Sequence, residues 1–117
     1  LWLGELWSES IKGLGIPSTL HRGEMVRNRW SDLVCFAGRA SGEVLVRGRK
    51  VLGISQRRNR FGVWFQCAAL LKWSAVEIVD LLDLHPPEEA IRDLKALAAP
   101  LGVDRSMLES EFLNRLA

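Results

Sequence analysis

The stretch that decides the fold is Glu43-Val44-Leu45-Val46-Arg47-Gly48-Arg49-Lys50-Val51-Leu52-Gly53-Ile54-Ser55-Gln56. Glu43 to Arg47 is a short aliphatic run, rich in the β-branched residues that suit a pleated, half-buried surface. Gly48-Arg49 reads as a tight turn, because glycine takes the positive φ that two-residue hairpin loops need. Lys50 to Gln56 reads as the returning strand, so residues 43–56 form a β-hairpin. Strand side chains alternate. Lys50, Leu52 and Ile54 are therefore expected on one face, and Val51, Gly53 and Ser55 on the other.

Working outward toward the C-terminus, Arg57 to Arg60 reads as a basic turn and Phe61 to Lys72 as a longer strand. Ser74 stands three residues before Glu77, the spacing of a capping box, and predicts a helix over Ala75–Leu82. His85-Pro86-Pro87 breaks that helix. Pro87, followed by Glu88 and Glu89 in the first turn, opens another that runs to about Ala98. Pro100 and Gly102 end it, and Ser106 is expected to cap a last helix.

Toward the N-terminus, Trp30–Phe36 reads as irregular or short extended structure, with the place of Trp30 left open, and Ser18–Met25 as strand and turn. Leu3, Leu6, Trp7, Ile11 and Leu14 recur at the three- and four-residue spacing of a helix face. Gly13, Gly15 and Pro17 stop that helix. Helix, strands, hairpin, strand and three helices make an α+β fold, a mixed and mainly antiparallel sheet with helices packed on one side.

The chain has 117 residues, 48% of them hydrophobic, with 16 Lys plus Arg against 14 Asp plus Glu. That length suits one domain, and the composition excludes wholesale disorder. The longest unbroken apolar run, Cys67 to Leu71, falls far short of the roughly 18 residues of a membrane span. No secretory leader is expected, because the first residues show no basic stretch followed by an apolar core, and two cysteines, Cys35 and Cys67, are too few for a disulfide scaffold. Reduced thiols in a cytoplasmic protein are the expectation. His21 and His85 have no companion at ligand spacing, so no metal site is expected. Trp2, Trp7, Trp64 and Trp73 are read as core, and Cys67 likewise.

Charge is concentrated. Arg39, Arg47, Arg49, Lys50, Arg57, Arg58 and Arg60 share the 39–60 region with a single acid, Glu43. One reading is a solvated edge hairpin whose charges discourage edge-to-edge pairing. A second is a basic binding module for nucleic acid or an acidic partner. A third is an anion site, in which Lys50 reaches over the sheet to a phosphate or carboxylate and Gly53 lets the ligand approach the backbone.

The run Arg47 to Arg58, with Val34-Cys35-Phe36-Ala37-Gly38 before it and Gly62-Val63-Trp64-Phe65-Gln66 after it, resembles the central motif of the lipoate–protein ligase and octanoyltransferase family. That motif is a short strand, a Gly-Arg/Lys-Lys turn, an apolar residue, Gly, a small residue, Ser or Ala, and Gln. The match covers residues 1–72; the later helices follow the family's order without a motif. The resemblance implies a biotinyl/lipoyl-transferase-like fold related to class II aminoacyl-tRNA synthetase cores. It implies attachment of lipoate or octanoate to a lysine of a lipoyl-carrier domain, with ATP, and Mg2+ alongside it, if the enzyme is a ligase. Lys50 takes the catalytic place, contacting the acyl carbonyl or the phosphate of an acyl-adenylate, and Gly53, Ile54, Ser55 and Gln56 line the ligand. Nucleic acid is not implied, nor is a membrane.

Cys35 matches the place where some octanoyltransferases carry an acyl nucleophile. A thiol beside a lysine ammonium has a lowered pKa, which favours thiolate attack; the other reading of Cys35, among Leu33, Val34 and Phe36, is a small buried hydrophobe. Two features depart from the family. Many members have His-Gly where Cys67-Ala68 stands, and the family's arginine-preceded glycine-rich stretch has no counterpart here. Residues 1–117 are accordingly expected to be one domain, the C-terminal half of a larger catalytic domain (1–72 sheet-forming, 73–117 helical). The other half would lie on the same or another chain, leaving the sheet with an unpaired apolar edge.

Overall fold

Val46 pairs with Arg49, so the hairpin loop is Arg47-Gly48, one residue earlier than the sequence suggests. Both residues have positive φ, 52° and 77°, as a two-residue loop matched to the twist of its strands requires. The structure, a computed structural model, describes residues 2–117, with Cys35 described by its backbone alone. Among these residues β1 (Thr19–Leu20), β2 (Val44–Val46), β3 (Arg49–Asn59) and β4 (Gly62–Ala69) form one antiparallel sheet in that order. Arg57 and Arg58 are not in a turn. They extend β3, pairing with Trp64 and Val63, and the chain reverses at Arg60-Phe61. The only parallel element among the described residues is an isolated bridge between Lys50 and Ala98.

The hairpin also departs from simple alternation. Val44 pairs with Leu52 but Leu45 pairs with Lys50, which leaves Val51 as an extra residue in a bulge. The displaced backbone is used elsewhere: the Val51 carbonyl accepts from Leu70 N–H at 2.9 Å and the Lys50 carbonyl from Ala99 N–H at 3.1 Å. Because one residue is inserted, Lys50 comes to the side of Gly53 rather than that of Leu52.

The helices are α1 (Trp2–Gly13), α2 (Ala75–Leu82), α3 (Pro87–Leu97) and α4 (Arg105–Leu116), with a 3-10 turn at Cys35–Ala37. Ser74 caps α2 as its sequence predicts, its hydroxyl accepting from Glu77 N–H at 3.3 Å. For α4 the cap position belongs to Asp104; Ser106 lies inside the first turn and donates to the Asp104 carboxylate. The fold is α+β.

Two apolar clusters hold it together, and each joins early residues to late ones. Ile11, Val44, Val51 and Leu52 pack with Leu101 and Leu108, so α1 and α4 cover one face of the sheet base. Trp30, Val34 and Ala37 pack with Ala75, Val79, Leu84, Ala90 and Leu94. The second cluster holds the 3-10 turn against the other face, so the base is covered on both sides rather than one. Trp30, whose place the sequence leaves open, is 3% exposed, and its indole donates to Asp93 Oδ2 at 2.9 Å. Gly4 lets α1 approach the backbone of Gly42, where any Cβ would collide.

Beyond Ile54 the cover stops. Ser55 to Asn59 and Gly62 to Ala68 are exposed, a two-stranded ribbon standing out from the body. Trp64, read from sequence as core, is 63% exposed, and Phe61 is 82% exposed. Cys67 is exposed as well. Trp2 is also mostly exposed and meets Phe65 edge-on, whereas Trp7 stacks on Phe112 and Trp73 packs against the second cluster. The largely apolar run of β4 suggested burial, but most of the ribbon has no layer to pack against. No helix among the described residues is long and apolar enough to cross a membrane.

Candidate functional site

Lys50 differs from every other cation in its region. Arg47, Arg49, Arg57, Arg58 and Arg60 are exposed and Arg39 is half-buried, while the Lys50 side chain is 5% exposed. Its ammonium lies 2.8 Å from Glu43 Oε1, donates to the Gly38 carbonyl at 2.9 Å, and sits 4.7 Å from the centre of the Phe36 ring. Glu43 is 6% exposed and fully engaged: Oε1 accepts from Ala40 N–H at 2.7 Å and Oε2 from Ile54 N–H at 2.8 Å. A buried ion pair survives its desolvation only when its remaining donors and acceptors are satisfied in this way. The ring beneath the ammonium adds a cation–π attraction in a dry setting.

Three elements converge to make the arrangement. The bulge turns Lys50 inward, the segment 38–43 supplies the carbonyl and the carboxylate, and the 3-10 turn supplies Phe36. The 28–37 segment is in turn fixed to α3. Arg29 bonds Glu89 at 2.6 Å and lies over the Trp30 ring, and Trp30 bonds Asp93. That bond holds the Asp93 carboxyl below its ordinary pKa, against the opposing effect of burial; Arg92 adds to the lowering.

Gly53 faces this site. A Cβ there would lie 3.2 Å from Glu43 Oε2, 3.3 Å from Lys50 Cε and 3.4 Å from Phe36 Cζ. The glycine is thus filled against by the protein's own ion pair. From it, one face of the ribbon continues outward through Ser55 and Arg57 on β3, opposite Gln66 and Trp64 on β4. These four residues belong to the lining of one surface depression. Ile54 and Gln56 point to the other face, with Cys67 and Phe65 as cross-strand neighbours. Of the ligand-lining set drawn from the sequence, the structure therefore brings Gly53 and Ser55 to the Lys50 side and puts Ile54 and Gln56 away from it. A separate cavity beside the hairpin loop, lined by Ile16, Val46, Arg47, Arg49 and Pro100 among others, includes none of these residues.

The backbone of Cys35 immediately precedes Phe36 and so approaches Lys50; its thiol lies outside the described residues. Burial pushes the Cys67 thiol up, and the nearby Trp7 indole works weakly against that. The Trp7 Nε1 is itself buried and makes no hydrogen bond of ordinary geometry. Among the described residues no cluster of three or more His, Cys, Asp or Glu side chains is placed to hold a metal ion.

Glu43 is the residue the sequence reading missed as a partner. Its signal was present, as the lone acid among seven cations at the start of the strand paired with that of Lys50. No family model, curated protein or solved structure matches the chain.

Proposed function

We propose that the chain serves acyl transfer of the lipoate–protein ligase and octanoyltransferase kind, attaching a lipoyl or octanoyl group to a lysine of a carrier domain. The observation that carries this reading is the separation of Lys50 from its basic neighbours. A diffuse electrostatic surface uses solvated side chains, and the five exposed arginines suit that role. Lys50 is instead desolvated, clamped by Glu43 and Gly38, and aimed at the face that Gly53 and Ser55 share. A charge held in a dry site without freedom to reorganise is what stabilises a developing oxyanion best.

In this reading Glu43 positions the ammonium, and an acyl carbonyl or phosphoryl oxygen arriving beside Gly53 replaces one of its present acceptors. The ligase route activates the acyl carboxylate on ATP with loss of pyrophosphate, and the carrier lysine then displaces AMP. Glu43 is committed to Lys50 and two backbone amides, so Mg2+ would enter bound to the nucleotide. The transferase route forms a thioester on Cys35 from a donor thioester, and the carrier lysine then displaces the Cys35 thiol. The lipoyl-transferase-like sheet class belongs to the same proposal.

The test is acylation of a lipoyl-carrier domain, followed by intact mass, with octanoate plus ATP and Mg2+ in one arm and an octanoyl thioester in the other. Activity in the first arm selects the ligase route. Activity in the second, with an adduct on Cys35 when the carrier is withheld, selects the transferase route. Transfer in neither arm, together with steeply salt-dependent binding of polynucleotide, would replace this reading with the basic binding module.

A further inference from the structure

The outer edge of β4 is unpaired among the described residues, and β4 contains no charged residue and no proline. Natural edge strands are ordinarily guarded by one of these devices. Val63, Trp64 and Phe65 are consecutive, lie on alternating faces, and are 44%, 63% and 42% exposed. Both faces of the ribbon therefore expose apolar side chains, Phe65 in part behind Trp2, along an edge with free backbone donors and acceptors.

We infer that this edge receives an extended segment of another polypeptide, one that alternates apolar with acidic side chains. The charge on the ribbon selects that occupant. Between Ser55 and Ala69 stand Arg57, Arg58 and Arg60 and no acid, and none of the three has an ion-pair partner among the described residues. Arg57 and Arg58 point to opposite faces beside Trp64 and Val63. A strand added to β4 lies about 10 Å from β3, a gap that an arginine and a glutamate reaching across β4 together span. A second copy of this chain fits less well. Pairing β4 with β4 would gather six arginines over one sheet with no acid to meet them. Single-stranded nucleic acid also fits less well, because successive bases need aromatic rings in a row on one face. Here Trp64 and Phe65 are on opposite faces.

This inference is independent of acyl transfer. It is tested with fluorescent capped peptides of about nine residues, the length that spans β4. The probes alternate Glu with Val, alternate Lys with Val, or carry a central proline in the Glu-Val series. The Glu-Val peptide is expected to bind saturably at low salt, to protect the amides of residues 62–69 from hydrogen exchange, and to weaken steeply near 0.5 M salt, where screening is strong. The Lys-Val and proline peptides are expected to bind at least about tenfold more weakly. Arg57→Glu/Arg58→Glu, at exposed positions, should reverse the preference between the Glu and Lys peptides. A Trp64→Lys variant should weaken both peptides. Absence of Glu-Val binding overturns the proposal. So does a concentration-dependent dimer that Trp64→Lys dissolves, or oligo(dT) binding that protects the same amides while the peptide does not.

Discussion

Replacing Lys50 with Met, Glu43 with Gln, and both together, tests whether the buried pair is the structural hub that its geometry describes. Both side chains are about 95% buried, and hydrogen bonds tie the pair to Gly38, Ala40, Ile54 and each other. Lys50→Met leaves the Glu43 carboxylate with two backbone donors and no counter-charge, a loss on the order of 3–5 kcal/mol. Glu43→Gln removes the counter-charge of the ammonium and turns an amide NH2 toward a backbone N–H, a loss of similar size. The double variant carries no buried charge and forfeits hydrogen bonds alone, about 3–5 kcal/mol in total. The two losses therefore overlap, with a coupling energy of about 3–5 kcal/mol, the excess of the two single losses over the double one. Guanidinium unfolding followed by tryptophan fluorescence reads all four proteins. Additive losses, with coupling below about 0.5 kcal/mol, would refute the reasoning, because the two groups would then not be sensing each other. The double variant also separates folding from chemistry, since it should remain folded at low denaturant and yet transfer no acyl group.

Gly4→Ala should lower the melting temperature, although alanine is the better helix former by about 1 kcal/mol, because its Cβ meets the Gly42 backbone and overpacking costs about 1–3 kcal/mol. A higher melting temperature would remove the close approach of α1 to residue 42. Asp93, held low by the Trp30 indole, contributes stability that is present above the ordinary carboxylate pKa near 4 and lost as pH falls below it. Asp93→Asn should flatten that acid limb in a stability-versus-pH series, and an unchanged limb counts against the Trp30–Asp93 bond. Cys67 is exposed yet raised in pKa, so iodoacetamide should modify it more slowly at pH 7.5 than it does free cysteine, with the rate still climbing beyond about pH 8.5. Faster modification than free cysteine would show a stabilised thiolate instead.

What the sequence made legible was local chemistry. The Ser74 cap, the Pro87 start, the glycine-ended first helix and the existence of the 43–56 hairpin all follow from short-range rules, and the structure has them. Three things were not legible. A bulge inserts one residue without any composition signal, so alternation put Lys50 with Leu52 and Ile54 when it belongs with Gly53. Trp64 and Phe65 have the composition of a core strand, and only the absence of a packing layer makes them surface. Trp30 is buried through a hydrogen bond to Asp93, a contact across 63 positions that no local pattern encodes.

The location of the charges divides the basic run in two. Charges that guard against edge pairing stand on an edge strand. Beyond Leu52, β3 pairs with β4 alone, so Arg57 and Arg58 stand on one free edge of the ribbon and guard it, while β4, the other edge, carries no charge. Charges on β3 do not block the backbone groups on the far side of β4, yet their long side chains can reach a segment that pairs there. Of the seven cations, Lys50 is therefore the one withdrawn from solvent by the bulge and fixed at the inner end of β3. Arg57 and Arg58 stand at the outer end of the same strand, on a ribbon without cover. One strand thus carries a clamped, buried charge at its inner end and solvated charges at its outer end. The transition falls between Ile54 and Ser55, where burial ends.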